Sequence, residues 1–377
     1  MKSTIRRKYI TLAILVGLSM GFIISSCSKS GGGGTPVVTT GLAAEIDTAQ
    51  TVSASTSEGT QPGEYTVGSK TSLNAAITAA QAVLSSSSST QSDITNATAN
   101  LAAAVATYRG NLISPIAPTA LVAYWKFNGN PNDSSGNGHN GVLTLPPAAI
   151  GGQTLFHLQG ASVPDPNAVP GGVPNLVNDR FGNPNSAYHF NMGGHIEVPY
   201  STALNPTAIT LSLWVRQDTA GRVDNPSDCY MIGLNRWNGY KFQMQPSYPF
   251  LTVTTINGGA DCAASSAIPI GTTVGAGPWK HLVVTYDGVG TTTFYLNGTV
   301  FPGANGGAQA TGPMKTINPT CNLSIGTDLA NAAYKEDNSN NIEWGGFWSG
   351  DMDDVMIYNV ALTAPQVLAL YNQQKTP

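Results

Sequence analysis

Two hydrophobic periods divide the chain. Between residues 41 and 112 the apolar positions recur every three or four residues: Leu42, Ile46 and Ala49; Leu73, Ile77, Ala80 and Leu84; Ile94, Ala97, Leu101, Val105, Tyr108 and Leu112. That spacing places each set on one face of a helix and predicts a three-helix bundle. Thr90, with Asp93 three residues later, predicts a capping box at the start of the last helix. After the Pro-containing linker "ISPIAPTA" (113–120) the period becomes two. The segments "LVAYWKF", "HIEVPY", "ITLSLWVRQ", "YKFQMQ", "FLTVTTI", "KHLVVTYDG", "TTTFYLNGTVF", "NLSIGTD" and "MDDVMIYNV" alternate and are separated by turn clusters, so each predicts a strand. Only "LTAPQVLALYNQ" near the C-terminus predicts a further helix. The fold expected is mainly β: an antiparallel two-sheet sandwich over residues 121–373, behind a small N-terminal α-helical bundle.

Composition narrows the setting. Only 10% of the 377 residues are charged, whereas there are 42 glycines and 24 prolines, which suits a turn-rich extracytoplasmic β protein. The segment "MKSTIRRKYITLAILVGLSMGFIISSC" has a basic start, an apolar run and small residues before Cys27. It reads as a signal peptide over 1–26. Its ending "IISSC" resembles the lipobox of bacterial lipoproteins, which implies acylation of Cys27, a flexible tether over 27–40 and an outer-membrane anchor. Ser28 favours outer-membrane sorting by the same analogy, while Lys29 leaves open whether the protein faces the cell surface or the periplasm. The full chain carries 17 basic and 21 acidic residues; without Lys2, Arg6, Arg7 and Lys8 the balance is 13 to 21, a net of −8. A mildly acidic chain with no basic patch argues against nucleic acid as partner.

Two motif matches are decoys. "GLSMG" (17–21) fits a nucleophile elbow but lies in the leader. "EIDTAQ" (45–50) nearly spells a jelly-roll glucanase signature, yet its sixth residue is Gln and its setting is helical, so the second carboxylate of a retaining mechanism is missing.

Five ordered motifs carry a more specific resemblance: "AYWKFNGNPNDSSGNGHNGVL", "DRFGNPNSAYHFN", "ITLSLWVR", "WKHLVVTYDGVGTTTFYLNGT" and "GDMDDVMIYNVALTAPQVLALYN". In this order they resemble the laminin-G-like, concanavalin A-like lectin/glucanase superfamily, which implies a jelly-roll sandwich. The Pro- and Gly-rich stretch 145–178 then reads as a long inserted loop. The helical segment resembles the FIVAR module, implying a spacer. The sandwich family also implies a structural Ca²⁺ between an early turn and the last strand. On this sequence its ligands would be Asp133 and Asp353, with Asn137 and the carbonyl of His139 as further candidates. If "MDDVMIY" is a regular strand, Asp353 shares the core face of Val355 and Ile357 and needs a cation or several donors there. The alternative is an Asx-rich turn with Asp353 bound by backbone N–H groups.

Ligand binding is expected at aromatic residues in loops, which can stack on a sugar ring: Trp237 and Tyr240 in "LNRWNGY", Trp344 and Trp348 in "IEWGGFWSGD". Trp125, Trp214 and Trp279 read as packing residues. No His pair has zinc-site spacing. In an oxidising compartment three cysteines beyond Cys27 allow one disulfide, expected between Cys229 and Cys262 across hairpin-connected strands, with Cys321 left over. The reading that follows is a lipid-anchored, non-catalytic binding protein for a glycan or polysaccharide. Its rivals are an adhesion or assembly module with a protein partner, and a glycoside hydrolase with an unmarked carboxylate pair.

Overall fold

The computed structural model describes residues 36–146, 171–191, 193–218, 229–245, 248–264, 278–301, 304–306, 310–336 and 347–377. The expected signal peptide, residues 1–26, and Cys27 lie outside them. Helices α1 (Thr40–Ser55), α2 (Ser69–Ser85) and α3 (Gln91–Gly110) form the N-terminal bundle. They bury the residues that the helical period selects, among them Leu42, Ile46, Leu73, Ile77, Leu101 and Val105. Thr90 and Asp93 close the capping box. Tyr108 caps this core, stacking on Tyr65 with ring centroids 4.3 Å apart. Among the described residues no helix is long and apolar enough to cross a membrane.

The rest of the described chain is a two-sheet antiparallel sandwich. The first sheet runs, from edge to edge, Ala304–Gly306, Gly258–Ala264, Tyr248–Thr255, Tyr240–Gln245, Cys229–Leu234, Leu323–Ile325, His195–Val198 and Val142–Thr144. The second runs Thr299–Val300, Thr292–Leu296, Lys280–Tyr286, Ile209–Gln217, Gly350–Tyr358, Ala187–Phe190 and Asn175–Val177, with Leu121–Trp125 paired to the far half of Gly350–Tyr358. Alternation explains the layers. In Ile209–Gln217, Leu211, Leu213 and Val215 enter the core between the sheets, and in Tyr240–Gln245 Tyr240, Phe242 and Met244 do so. The opposite face of the second sheet is covered in turn. Helix α4 (Asn331–Glu336) is a short connector, whereas α5 (Ala364–Gln374) lays Val367 and Leu370 on Val283, Tyr295, Met356 and Tyr358. A second capping box, Thr363 with Gln366, starts α5.

The sheet order corrects one expectation. Cys229 and Cys262 lie on strands three positions apart in the first sheet. At ~4.8 Å per strand that is ~14 Å, well beyond the ~7 Å within which Cα atoms can be bridged. No disulfide joins them. Each sulfur instead accepts a hydrogen bond, Cys229 from Gln217 (3.0 Å) and Cys262 from Thr292 (3.4 Å). The two segments are linked by successive hairpins, but hairpins carry a chain across a sheet rather than back to its start.

Candidate functional site

The opening turn and the last strand do not meet as the expected calcium site. Asp133 sits beside the first strand of the sandwich, and its carboxylate accepts from the backbone N–H groups of Tyr124 (3.0 Å), Ser135 (2.8 Å) and His139 (3.0 Å) and from the Ser135 hydroxyl (2.8 Å). Burial opposes its ionisation, but these donors outweigh it and lower its pKa. The His139 carbonyl accepts from Trp125 Nε1 (2.8 Å), and the Asn137 amide donates to the carbonyls of Leu121 and Val122, each at 2.9 Å.

Asp353 faces the other way from the regular-strand expectation. Asp354 has φ +46°, and the register shifts between Asp353 and Met356. This bulge inserts a residue, so Met352, Val355 and Ile357 enter the core while Asp353 stands opposite Trp214 on the α5 side. There it pairs with Arg180. Burial and the adjacent Asp354 push its pKa up, against the pull of Arg180. The donor set therefore does not fit one shared Ca²⁺: N–H groups converge on Asp133, and a guanidinium holds Asp353. Among the described residues no group of three or more His, Cys, Asp or Glu is placed to hold a metal ion.

The aromatic candidates separate by burial. Trp348 is fully buried in the inter-sheet core, its backbone N–H bonded to the Gly326 carbonyl at 2.9 Å. Tyr240 is also fully buried, and its hydroxyl donates to the Leu204 carbonyl at 2.8 Å. Both are core residues rather than ligand contacts, because Tyr240 points inward from the start of its strand and Trp348 points inward just before the last one. Trp344 lies outside the described residues. Trp237 remains, 37% exposed at the end of the first sheet.

The local sequence explains its position. "LNRWNGY" interrupts two apolar strands with polar residues, and the chain turns through a 3₁₀ segment, Arg236–Asn238. Asn235 and Arg236 both have positive φ, +58° and +44°. Two consecutive non-glycine residues in this region are strained, and such strain clusters at functional sites. Surrounding bonds hold it in place. Asn235 donates to the Pro319 carbonyl (2.9 Å), and Arg236 Nε donates to Asp328 (2.5 Å), with both members of this ion pair buried. Asp328 reaches Arg236 because it crosses directly over Gly233, where any Cβ would lie 2.7 Å from the Asp328 carbonyl oxygen.

Around Trp237 the outward side of the sheet is chemically mixed and mostly buried: Tyr230, Lys241, Gln243 and Thr252 are buried, while Asp261 is exposed. The Arg236 guanidinium lies 5.1 Å from the Trp237 ring, and Lys241 Nζ lies 5.5 Å from it and 4.7 Å from Tyr230. Lys241 also donates to Gln243 (2.8 Å), and Thr252 donates to Asp261 (2.6 Å) on the neighbouring strands. Arg236, Lys241 and Asp328 were not legible as site residues. Their one sequence signal is the polar interruption itself.

Carboxylates on this sheet are few and occupied. Burial alone would raise Glu197, but hydrogen bonds from His195, Asn322 and Asn331 outweigh it and hold its pKa at about 2. A general acid needs the opposite shift. Glu197 and Asp261 lie on strands five positions apart. That is ~24 Å, against the ~5–9.5 Å of a glycosidase pair.

Comparison with known proteins bears on this sheet directly. Residues 190–368 match the Laminin_G_3 family model, described as the concanavalin A-like lectin/glucanases superfamily. The matched stretch contains the Arg236–Trp237 turn, the Ala304–Gly306 edge of its sheet and the last strand, but not the Val142–Thr144 edge. No curated protein matches the chain. Among solved structures, one similar chain is domain 4 of AbnA, a GH43 extracellular arabinanase from Geobacillus stearothermophilus, in complex with arabinotriose. It is 19% identical, with 67% of this chain and 98% of that chain covered and a TM-score of 0.38. Another is the ligand binding domain of botulinum neurotoxin serotype D in complex with N-acetylneuraminic acid, 11% identical with a TM-score of 0.41. The binding domain of botulinum neurotoxin serotype G is 13% identical with a TM-score of 0.42. The matches cover 68% of this chain in both cases, and 52% of the serotype D domain and 51% of the serotype G domain, so the chain spans about half the length of those domains.

On the opposite face of the sandwich, His281 is fully buried beneath α5, hydrogen-bonded to Ser212 (2.8 Å) and packed in a cluster with Trp214 and Tyr371. Burial, with a smaller contribution from Arg180, lowers its pKa from 6.5 to about 3. A depressed histidine stabilises the fold fully above pH 6.5, and that contribution is lost as the pH falls towards 3, because only the unfolded chain takes up the proton. The full span corresponds to about 4–5 kcal/mol. His281→Gln is expected to flatten the decline between pH 6.5 and 4.5, read as the difference between variant and wild-type urea unfolding across that range. Equal slopes would show that His281 does not titrate as described.

Proposed function

We propose that the chain is a lipid-anchored, non-catalytic carbohydrate-binding protein of the bacterial envelope, serving in polysaccharide capture. The observation that carries this reading is Trp237: a half-exposed indole on a strained, ion-paired turn, beside a buried polar and aromatic layer of the sheet, within the stretch that matches a lectin/glucanase superfamily. A preformed aromatic can stack on the apolar face of a sugar at little ordering cost. Asp261, exposed on the same sheet and held by Thr252, supplies an acceptor of the kind that orients a ligand. The engaged state of Glu197 and the wide spacing from Asp261 favour binding over hydrolysis. Acylated Cys27 would fix the chain to the outer membrane, and the helical module, which resembles FIVAR, would act as a spacer.

The test is retention of the chain on a panel of plant, host and microbial glycans. Binding is expected roughly in the micromolar-to-millimolar range, since each polar contact replaces one with water. Copies arrayed on a membrane would gain by avidity.

One observation favours a second reading, an adhesion or assembly module. Ile256 (65% exposed) and Val289 (74% exposed) project at one end of the sandwich, on turns joined through Gly312 and Pro313. No retention on any glycan, together with capture of a specific protein that Ile256→Ser/Val289→Ser abolishes, would select that reading.

A further inference from the structure

The buried carboxylates of the last strand point to how the sandwich is closed. Asp353 and Asp354 are adjacent, both buried, and both turned to the α5 side by the bulge at Asp354. Arg180 enters between them from the turn that follows the long insertion. Nη1 pairs with Asp353, and Nη2 pairs with Asp354 at 2.6 Å. Nε and Nη2 also donate to the Gln374 carbonyl at 3.0 and 2.9 Å. That carbonyl belongs to the last turn of α5, where the helix leaves acceptors unsatisfied and favours positive charge. The guanidinium faces are covered by Phe181 and Trp214, each ring centroid 4.5 Å from Cζ. Tyr124, on the first strand of the sandwich, donates its hydroxyl to Asp354.

We infer that Arg180 is the fixed internal cation that joins the first strand, the last strand and the C-terminal helix, and that it takes over the cross-linking role that a structural Ca²⁺ was expected to fill. Ca²⁺ requires about six to eight oxygens converging on one point. Here the two carboxylates and a helix-end carbonyl converge on a planar fork of N–H donors instead, and Asp133 is saturated separately by its own turn. Arginine suits this place because its fork matches paired carboxylates while its faces stack on aromatics. The inference concerns stability and does not depend on what the protein binds.

Thermal melts of the whole chain test it. Wild type is expected to melt identically in excess EDTA and in millimolar CaCl₂. Arg180→Met, which strands two buried carboxylates, is expected to lower Tm by roughly 10 °C. Arg180→Met/Asp353→Asn/Asp354→Asn is expected to regain part of that loss, since the stranded charge is then gone. The triple variant also guards against a single variant that fails to fold. A wild-type Tm that rises with calcium, or a triple variant no more stable than Arg180→Met, would overturn the inference.

Discussion

Trp348→Ala is expected to destabilise the protein by about 3–5 kcal/mol, as removal of a large aromatic from a packed core does. Trp348 has no exposed surface and contacts the core shared by both sheets, so the loss combines transfer energy with the cavity left behind. In a domain of this size the melting temperature should fall by roughly 10 °C. Equilibrium urea unfolding, with the m-value checked for two-state behaviour, measures the effect. Near-normal stability with a selective loss of ligand binding would return Trp348 to the surface role that its glycine-rich sequence setting suggests.

A loss of similar size is expected for Asp328→Ala, by another route. The substitution leaves the Arg236 guanidinium buried without its carboxylate, and breaking a buried pair from one side costs about 3–5 kcal/mol. Arg236 also has a positive φ, which its partners must hold against the strain. When that hold fails, the turn relaxes and Trp237 moves with it, so glycan retention and stability are expected to fall together. Asp328→Asn keeps an acceptor for Arg236 Nε and should retain more of both. Unfolding curves and retention assays on the two variants check this. Wild-type stability and retention in both variants would show that the carboxylate does not hold the turn.

The fold was legible where one period governs a segment. Ile209–Gln217 and Tyr240–Gln245 alternate cleanly and form the strands their sequences predict, and Thr90 and Asp93 cap α3 as their spacing requires. Gly258–Ala264 was not legible, because glycine and alanine carry almost no alternation. The orientation of Asp353 was misread for a related reason. A strand's period reports faces only if no residue is inserted, and nothing in "MDDVMIY" announces the left-handed turn at Asp354.

The site was legible in part. Trp237 stands out in sequence as an aromatic in a polar break, but Tyr240, three residues on, shares that setting and is buried. The difference is strand register, which is settled by pairing with Cys229–Leu234 and Tyr248–Thr255 and not by local composition. Asp328 lies 92 residues from Arg236, so the contact that fixes the turn has no local signature. The cysteine pairing failed likewise, since sheet order decides distance and sequence order does not.

The central claim is that the Trp237 turn carries the ligand contact. It is tested most directly by the affinity of Trp237→Ala for a glycan that wild type retains, measured beside its melting curve. Loss of one stacking aromatic is expected to weaken binding about tenfold, equivalent to ~1.4 kcal/mol. Because the indole is half-exposed, the melt should stay close to wild type. Unchanged affinity in a folded Trp237→Ala variant would contradict the assignment of this face as the binding site.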